Sequence, residues 1–217
     1  MLIKKGVKIM KIEVLCHSSI RIEGEDKIIY IDPYRIKEEK DDADIIFITH
    51  SHYDHFSEED ILKVKNENTK ILLTTDLLEK TLDLGFKEED ITVVNPNNSY
   101  TVLDIEVNTI PAYNINKQFH PKENNWVGYI LKLEGKSIYI AGDTDISEEN
   151  KNVKCDIALL PVGGTYTTDY EEAAQLANII NPKLVIPMHY AELVGDKEDA
   201  IKFKRLINEN INVEIQI

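Results

Sequence analysis

Short apolar runs separated by polar turns recur along the chain and predict a protein rich in buried strands. Residues 45–48 form one such run without polar alternation, which is typical of a strand covered on both faces. Comparable apolar runs lie at 70–74, 155–161 and 183–187. Helix-like stretches follow several of these runs, and strands that alternate with helices imply a sheet covered by helices. The pattern therefore predicts the α/β (α+β) class.

Capping residues and apolar spacing predict four helices. Ser57 can cap a helix whose first turn is acidic, and the helix dipole favours negative charge there. Thr168 and Glu171 match the spacing of a capping box, and small alanines follow along one helix face. The predicted helices span about 58–66, about 76–84, from Thr168 to Asn181 and from Asp196 to Glu209.

The remaining segments carry the signals of antiparallel strands. Residues 11–31 alternate short apolar segments around a polar turn at 24–26, which is the pattern of paired strands. A Glu-Gly-Lys turn at 134–136 separates two further apolar segments and predicts a hairpin. Additional strands are predicted at 91–111, 127–133, 137–140 and 213–217.

Size and composition fit one domain spanning 1–217, in which residues 1–9 would be a loose extension before the first strand. Of the 217 residues, 42% are hydrophobic and 29% charged, as in ordinary globular proteins. No apolar run approaches the ~20 residues of a membrane-spanning helix, and no cleavable signal is recognised. Cys16 and Cys155 are flanked by apolar residues, which predicts buried free thiols in a reducing compartment. We therefore expect a cytoplasmic protein.

The strongly acidic charge bears on the choice of partner. The formal net charge is −14, whereas nucleic-acid and anionic-membrane surfaces require clustered Lys and Arg. A small-molecule substrate is expected instead. The sequence leaves the oligomeric state open, and a homo-oligomer is compatible with it.

A cluster of histidines follows the apolar run at 45–48. His50 and His52 are two positions apart, so in an extended segment both side chains point the same way and can converge on one ion. Asp54 and His55 come after the chain has turned and can reach a second ion. Imidazole with carboxylate suits zinc, iron or manganese better than calcium. The alternative is a polar loop with clustered histidines, but a buried strand has little reason to end in so many donors.

The segment HSHYDH at 50–55 resembles the HxHxDH signature of the metallo-β-lactamase superfamily, and further matches extend from about His17 to His189. The resemblance implies an αββα sandwich with two mixed β-sheets face to face, helices on the outer faces and a metal site at one edge. It also implies that Asp143 bridges two metals and that His189 completes the ligands of the second. His17 would stand beside the site, although a lone histidine at a strand end is also typical of a hydrogen-bonded structural residue.

The loop at 110–126 departs from the family pattern. Many members have a histidine just past the preceding strand, and this residue completes the ligands of the first metal; here Asn114 stands at that position. The loop has one histidine, His120, which comes six residues later. Three alternatives follow: His120 folds back, Asn114 binds through its carbonyl oxygen, or water fills the place. A site with one metal is therefore compatible with the sequence, and so is His120 as an exposed loop residue.

The resemblance implies a hydrolase that binds one or two metal ions, with zinc expected and manganese or iron(II) as alternatives. A metal ion lowers the pKa of bound water to about 7, which provides hydroxide at neutral pH. Asp54 would orient this nucleophile, and the candidates to protonate the leaving group are His17, His120 and Tyr166. The similar branch of the superfamily includes ascorbate-6-phosphate lactonase and the phospholipase D that cleaves N-acylphosphatidylethanolamine. The substrate would therefore be a lactone, another ester or a phosphodiester.

Two other functions are compatible with the same residues. One is a nuclease or small phosphodiesterase, although the short chain and the acidic charge weigh against polynucleotide substrates. The other is a metal-binding regulatory protein without catalysis. Diiron oxidoreductases of the superfamily usually carry Glu where His52 stands, which weighs against redox chemistry.

Overall fold

The computed structural model describes residues 10–217, so the expected extension at 1–9 lies outside the described residues. Two β-sheets form its centre, and in each sheet neighbouring strands are also neighbours in sequence. The first sheet contains β1 (Lys11–Cys16), β2 (Ser19–Glu23), β3 (Ile28–Ile31), β4 (Ala43–Phe47), β5 (Lys65–Thr74) and β6 (Ile91–Val94). The second contains β7 (Ser99–Val102), β8 (Ile105–Pro111), β9 (Val127–Leu133), β10 (Lys136–Ile140), β11 (Ile157–Pro161), β12 (Leu184–Met188) and β13 (Asn212–Val213).

Both sheets are mixed. Strands β1 to β3 pair antiparallel, and β3 to β6 pair parallel. The second sheet repeats this scheme, because β7 to β10 are antiparallel and β10 to β13 are parallel. Parallel neighbours place their carboxyl ends at the same edge of a sheet, which is where side chains from several strands can meet.

The inner faces of the two sheets pack together and form the main core. Phe47 of β4 and Tyr129 of β9 meet across the interface, with ring centroids 5.0 Å apart in an edge-to-face arrangement. The Tyr129 hydroxyl donates to the carbonyl of Ile48 at 2.7 Å, so its polar end is also satisfied. Two further apolar clusters lie on the outer faces of the sheets.

Helices cover both outer faces. On the first sheet lie α1 (Glu58–Val64) and α2 (Leu78–Asp83), and on the second lie α3 (Tyr170–Ile180) and α4 (Lys197–Leu206). The expected αββα sandwich is thus confirmed. Within residues 10–217, no helix is both long and apolar enough to cross a lipid bilayer.

The start of α3 differs by one residue from the prediction. Asp169, not Thr168, is the N-cap, and Glu172 instead of Glu171 completes the capping box. The Thr168 hydroxyl is used elsewhere, because it donates to the carbonyl of Pro161 at 2.7 Å and ties the helix entrance to β11. The spacing of the motif was therefore right and its register was wrong.

The predicted strand at 213–217 is shorter than expected, since β13 comprises Asn212–Val213. Beyond it, the Gln216 side chain takes over the pairing role by accepting from Val14 N at 2.6 Å and donating to Ile12 O at 3.0 Å. This side chain holds the segment against β1 without a backbone ladder.

The two cysteines are free, as predicted, but both are half-buried and not fully buried. Cys16 ends β1, an edge strand of the first sheet, and Cys155 precedes β11 in a connecting segment. Neither position is covered on every side.

Candidate metal centre

Side chains that follow five different strands meet at one edge of the sandwich. Two backbone hydrogen bonds join the sheets there: Val127 N donates to Thr49 O at 3.2 Å, and His189 N donates to His17 O at 2.9 Å. These bonds fix the distance between the strand ends of the two sheets that carry the site. The five buried side chains are His17 after β1, Asp32 after β3, His50 after β4, Asp143 after β10 and His189 after β12.

The potential metal-binding atoms form three overlapping groups, and within each group these atoms lie within 4.8 Å of one another. The first two groups are separate, and the third shares histidines with both. The groups are His50, His52 and His120; His17, Asp54, His55 and His189; and His50, His55 and Asp143.

Asp143 lies between the first two groups. Its Oδ2 atom is 3.2 Å from His120 Nε2 and 3.0 Å from His189 Nε2. Its Oδ1 atom is 3.3 Å from His55 Nε2. The preceding residue, Gly142, has a φ of +65°, and a Cβ there would lie 3.1 Å from Val127 O. Glycine therefore allows the turn that presents this carboxylate to both groups.

Several of these buried atoms lack a hydrogen bond, although carboxylate oxygens lie 3.0 to 3.3 Å from some of them. An unsatisfied buried polar group costs about 1–3 kcal/mol, so a ligand shared by several of these atoms would offset much of that cost. A transition-metal ion fits this set of imidazole nitrogens and carboxylate oxygens. The atoms are His17 Nδ1, His55 Nε2, His120 Nε2, Asp143 Oδ1 and both ring nitrogens of His189.

Asp32 was not identified in the sequence, although it orients two of the histidines. Its Oδ2 atom is 2.7 Å from Thr49 Oγ1 and 2.7 Å from His55 Nδ1. The Thr49 hydroxyl donates its proton to Asp32, so its oxygen accepts from His50 Nδ1 at 3.0 Å. Both imidazoles then present Nε2 to the centre. The sequence feature that could have indicated this role is the position of Asp32 directly after β3, because β3 is the parallel neighbour of β4.

The electrostatics of the centre favour a cation. Burial lowers the pKa of His55, but the carboxylates of Asp143 and Asp32 outweigh burial and raise that pKa well above its ordinary value. Burial would raise the pKa of Asp143, yet His189 and His55 hold it well below the usual range. Burial also opposes ionisation of Asp54, but the hydrogen bond from His17 keeps its pKa at about 2. These carboxylates therefore remain charged in a buried place.

His50 and His52 have the opposite tendency. Burial and neighbouring histidines lower the pKa of both residues, and the shift is largest for the fully buried His50. His50 Nε2 and His52 Nδ1 are 3.0 Å apart. Neutral imidazole is the form that binds metals, so a metal ion at His55 would replace the proton that Asp143 and Asp32 favour there.

His120 folds back into the centre and is 1% exposed, so it is not the exposed loop residue that was one interpretation of the sequence. Its ring centroid is 4.8 Å from that of His52. Asn114 does not direct its oxygen at the metal-binding atoms, because Oδ1 accepts from His120 N at 3.1 Å and lies 3.0 Å from His120 Nδ1. The structure therefore places His120, and not Asn114, among these atoms.

Trp126 forms one wall of the centre, and sequence reasoning missed it. Its ring centroid lies 4.9 Å from that of His50 and 4.8 Å from that of His52. Its indole nitrogen donates to Asp76 Oδ2 at 3.1 Å. The ring thus restricts both imidazoles from one side.

A cavity of about 270 Å³ opens above the centre. Tyr166, a predicted site residue, lines it, is 37% exposed and packs edge to face on Phe119 with centroids 4.6 Å apart. Behind Tyr166, the Gly164 amide donates to Thr168 O at 3.1 Å and closes the loop that carries the tyrosine. The floor consists of His17, His52, Asp54, His120, Asp143 and His189, and the rim of Tyr53, Phe119, Tyr166, Leu193 and Val194.

Comparison with known proteins shows which family this chain resembles. A family model described as a β-lactamase superfamily domain matches residues 11–189, a segment that includes every residue of the three donor groups. A UPF0173 metal-dependent hydrolase of Thermococcus kodakarensis is 32% identical over 95% of this chain and 96% of its own length. Another of Ligilactobacillus salivarius is 34% identical over 96% of this chain and 97% of its own length.

Solved structures show the same fold. The crystal structure of a protein described as a metal-dependent hydrolase from Parabacteroides distasonis superposes with a TM-score of 0.81, at 30% identity, over 95% of this chain and 92% of that one. A metallo hydrolase from Ignicoccus hospitalis gives a TM-score of 0.78 at 24% identity, over 95% and 94% of the two chains.

Proposed function

Since this chain belongs to the metallo-β-lactamase superfamily and is a metal-dependent hydrolase, we propose that it cleaves small esters or lactones that carry an apolar group. The observation that carries the proposal is the juxtaposition of two features. The floor of the cavity contains buried atoms without a hydrogen bond, on His17, His120, Asp143 and His189, and aromatic and aliphatic side chains form its rim.

The first two of the three groups of metal-binding atoms are the proposed binding sites for two metal ions, preferably zinc. His50, His52 and His120 would hold one ion, and Asp54, His55 and His189 the other, with Asp143 shared between them. When bound, such ions lower the pKa of water and polarise the group under attack. His17, the fourth member of that second group, would not bind the ion but would stay hydrogen-bonded to Asp54 through Nε2 at 3.2 Å.

The residues of this chain have distinct proposed roles around that chemistry. Asp54 is a half-buried carboxylate at the cavity floor and can accept a proton from water or hold its orientation. Tyr166 lines the rim with an exposed ring, from which its hydroxyl can donate a proton to the leaving oxygen. The apolar rim would hold the substituent of the substrate and exclude water around it.

The rim also bears on the choice among ester, lactone and phosphodiester. Among the described residues, no lysine or arginine lines the cavity. The nearby Arg35 and Lys117 are engaged by Glu192 and Asp145. A phosphodiester would therefore rely on the metals alone for charge compensation, whereas a neutral ester would gain from the apolar rim.

A substrate panel tests the proposal. Protein stripped by chelation and reloaded with zinc, manganese or iron(II) is assayed on a lactone series, p-nitrophenyl esters and bis-p-nitrophenyl phosphate. Metal-dependent turnover that is fastest for esters or lactones with apolar substituents is expected. Preference for the phosphodiester would overturn the substrate class, and no turnover by fully loaded protein would favour a metal-binding regulator.

A further inference from the structure

The side chain of Asn114 is buried and makes four hydrogen-bond contacts. Its Nδ2 atom donates to Asp145 Oδ1 at 3.2 Å and to the carbonyl of Tyr166 at 2.9 Å. Its Oδ1 atom accepts from the amide of His120 at 3.1 Å and lies 3.0 Å from His120 Nδ1. Every donor and acceptor site that an amide of this kind normally uses is thereby occupied.

The surroundings leave this amide a single orientation. A backbone N–H can only donate, so the Asn114 atom that faces His120 N must be the oxygen. On the other side, a carboxylate and a carbonyl can only accept, so the atom that faces them must be the nitrogen. Rotating the amide by half a turn would break the three contacts whose partners have fixed roles, namely those with the His120 amide, Asp145 and the Tyr166 carbonyl.

This orientation determines the tautomer of His120. Because Asn114 Oδ1 has no proton to give, His120 Nδ1 must carry one and donate it. In a neutral imidazole the other nitrogen then bears the lone pair. That nitrogen, Nε2, is buried, lacks a hydrogen bond and lies 3.2 Å from Asp143 Oδ2.

Asp145 fixes Asn114 in turn. Its carboxylate accepts from the amide of Ile115 at 2.9 Å and from Lys117 Nζ at 2.5 Å, besides Asn114. Asp145 lies two residues after Asp143 on the same loop. The chain of contacts from Lys117 through Asp145 and Asn114 to His120 therefore ties the 112–126 loop to the segment that carries the shared carboxylate.

We propose that Asn114 is a positioning residue that fixes the Nδ1–H tautomer and the ring orientation of His120, so that His120 Nε2 faces a metal ion. The inference rests on the metal role proposed above for His120. It explains how an asparagine at the family's histidine position remains compatible with a complete first group: the ligand comes from six residues later, and the asparagine aims it.

The first test observes the tautomer of His120 directly in the wild-type protein and uses a variant only to assign the signals. In zinc-loaded protein with ¹⁵N-labelled histidine, the ring signals of His120 are assigned by their loss in His120→Ala. Long-range ¹H–¹⁵N correlation is expected to show a protonated Nδ1. An unprotonated Nδ1 would overturn the proposal, whatever the protein hydrolyses.

The second test measures metal affinity by competition with a chromophoric chelator. Asn114→Leu keeps the size of the side chain but removes its acceptor, and we expect weaker binding of one zinc equivalent by about 10–100-fold. Asn66→Leu is the control, because Asn66 makes three side-chain hydrogen bonds, against four for Asn114, but lies on β5, in a segment that contributes no residue to the cavity. Wild-type affinity in Asn114→Leu, or an equal loss in Asn66→Leu, would overturn the proposal.

A paired variant separates orientation from packing. Asn114→Asp combined with Asp145→Asn keeps an oxygen against His120 Nδ1 and restores a donor between the two side chains, although the donation to the Tyr166 carbonyl is lost. Recovery of part of the lost affinity is expected, and binding as weak as in Asn114→Leu would overturn the proposal. The proposed function fails separately, since protein that binds zinc with wild-type affinity but turns over no substrate leaves this inference intact.

Discussion

The imidazole rings of His17 and His189 lie 3.8 Å apart, centroid to centroid, and the His189 amide donates to the His17 carbonyl at 2.9 Å. His17 follows β1 of the first sheet and His189 follows β12 of the second. Both have a φ in the left-handed region, at +55° and +57°. Non-glycine residues adopt this region at a cost, and contacts in the assembled centre offset it. The centre is therefore also a place where the two sheets are fastened together.

Removing the shared carboxylate should empty at least one of the proposed metal sites. Asp143 is within 3.3 Å of nitrogen atoms from His55, His120 and His189. In Asp143→Ala we expect the metal content to fall from about two equivalents to one or none. Elemental analysis after reconstitution measures this, with Asp156→Ala as a control at a carboxylate outside the centre. A full complement of metal in Asp143→Ala would contradict the shared role.

Asp32→Asn should weaken metal binding without disturbing the backbone. The residue has a φ of +47°, a region that asparagine tolerates at least as well as aspartate. Its charge and one acceptor are lost, so the orientation of His55 loosens and the zinc affinity falls by about 10–100-fold.

Asp32→Ala provides the comparison for Asp32→Asn. It adds backbone strain of about 1 kcal/mol to the same loss of hydrogen bonds. Chemical denaturation should therefore rank Asp32→Ala as less stable than Asp32→Asn. Equal stability of the two variants would show that backbone strain at position 32 does not contribute to the difference.

Tyr166→Phe should reduce kcat most for substrates with poor leaving groups. If the Tyr166 hydroxyl protonates the leaving oxygen, the loss is about 10²-fold for an alkyl ester and small for a p-nitrophenyl ester, which leaves without protonation. Tyr53→Phe is a matched control, because Tyr53 is also an exposed tyrosine that lines the cavity. The same loss for both kinds of ester would assign Tyr166 to binding and not to proton transfer.

Phe119→Ala should lower kcat/KM for substrates with long apolar substituents. Phe119 is 47% exposed at the rim and packs on Tyr166. Loss of contact with one or two methylene groups is equivalent to about tenfold in kcat/KM, whereas acetyl esters should be little affected. Leu62→Ala removes an exposed apolar side chain on α1, outside the cavity, and should leave both substrates unchanged. Equal losses on long and short esters in Phe119→Ala would reject the apolar rim.

Asp156 should contribute stability that depends on pH. Hydrogen bonds from Lys183 and from the Ser137 amide lower its pKa to about 2, compared with about 3.9 in an unfolded chain. Because the pKa is lower in the folded state, the carboxylate stabilises the fold at pH values above its pKa in the unfolded chain. This contribution is lost as the pH falls through about 2. After allowance for solvent screening, Asp156→Asn should cost about 1 kcal/mol at pH 7.

Urea denaturation of wild type and Asp156→Asn at pH 7 and pH 3 measures this contribution. The difference in unfolding free energy should be smaller at pH 3. Asp26→Asn, at an exposed carboxylate paired with its neighbour Lys27, should show a weaker effect. A difference for Asp156→Asn that does not change with pH would show that the charge of this group is not responsible.

The sequence correctly predicted that side chains following several buried strands would meet at one place. Buried strands that end in His50, Asp143 and His189 can share one edge of a sandwich, and the structure brings these three side chains together. Their role as ligands stays a prediction. The superfamily resemblance supplied the sheet arrangement, because element order alone was only compatible with it.

Other parts depend on tertiary hydrogen bonds that no local pattern encodes. The path of the 112–126 loop, which brings His120 inward, is fixed by Asn114 and Asp145 from separate segments. The sequence around Asp32 indicates only that a strand ends there. Its contact with His55 can be inferred only when the pairing of β3 with β4 is known. The register of the α3 cap was decided by a hydroxyl that bonds to β11.

The side chains of the centre are drawn from both sheets, and the last of them, His189, follows β12. During synthesis the site cannot close until β12 has left the ribosome and the second sheet has formed. A metal ion could therefore meet the complete set of donor atoms only after nearly the whole chain has emerged and both sheets have formed.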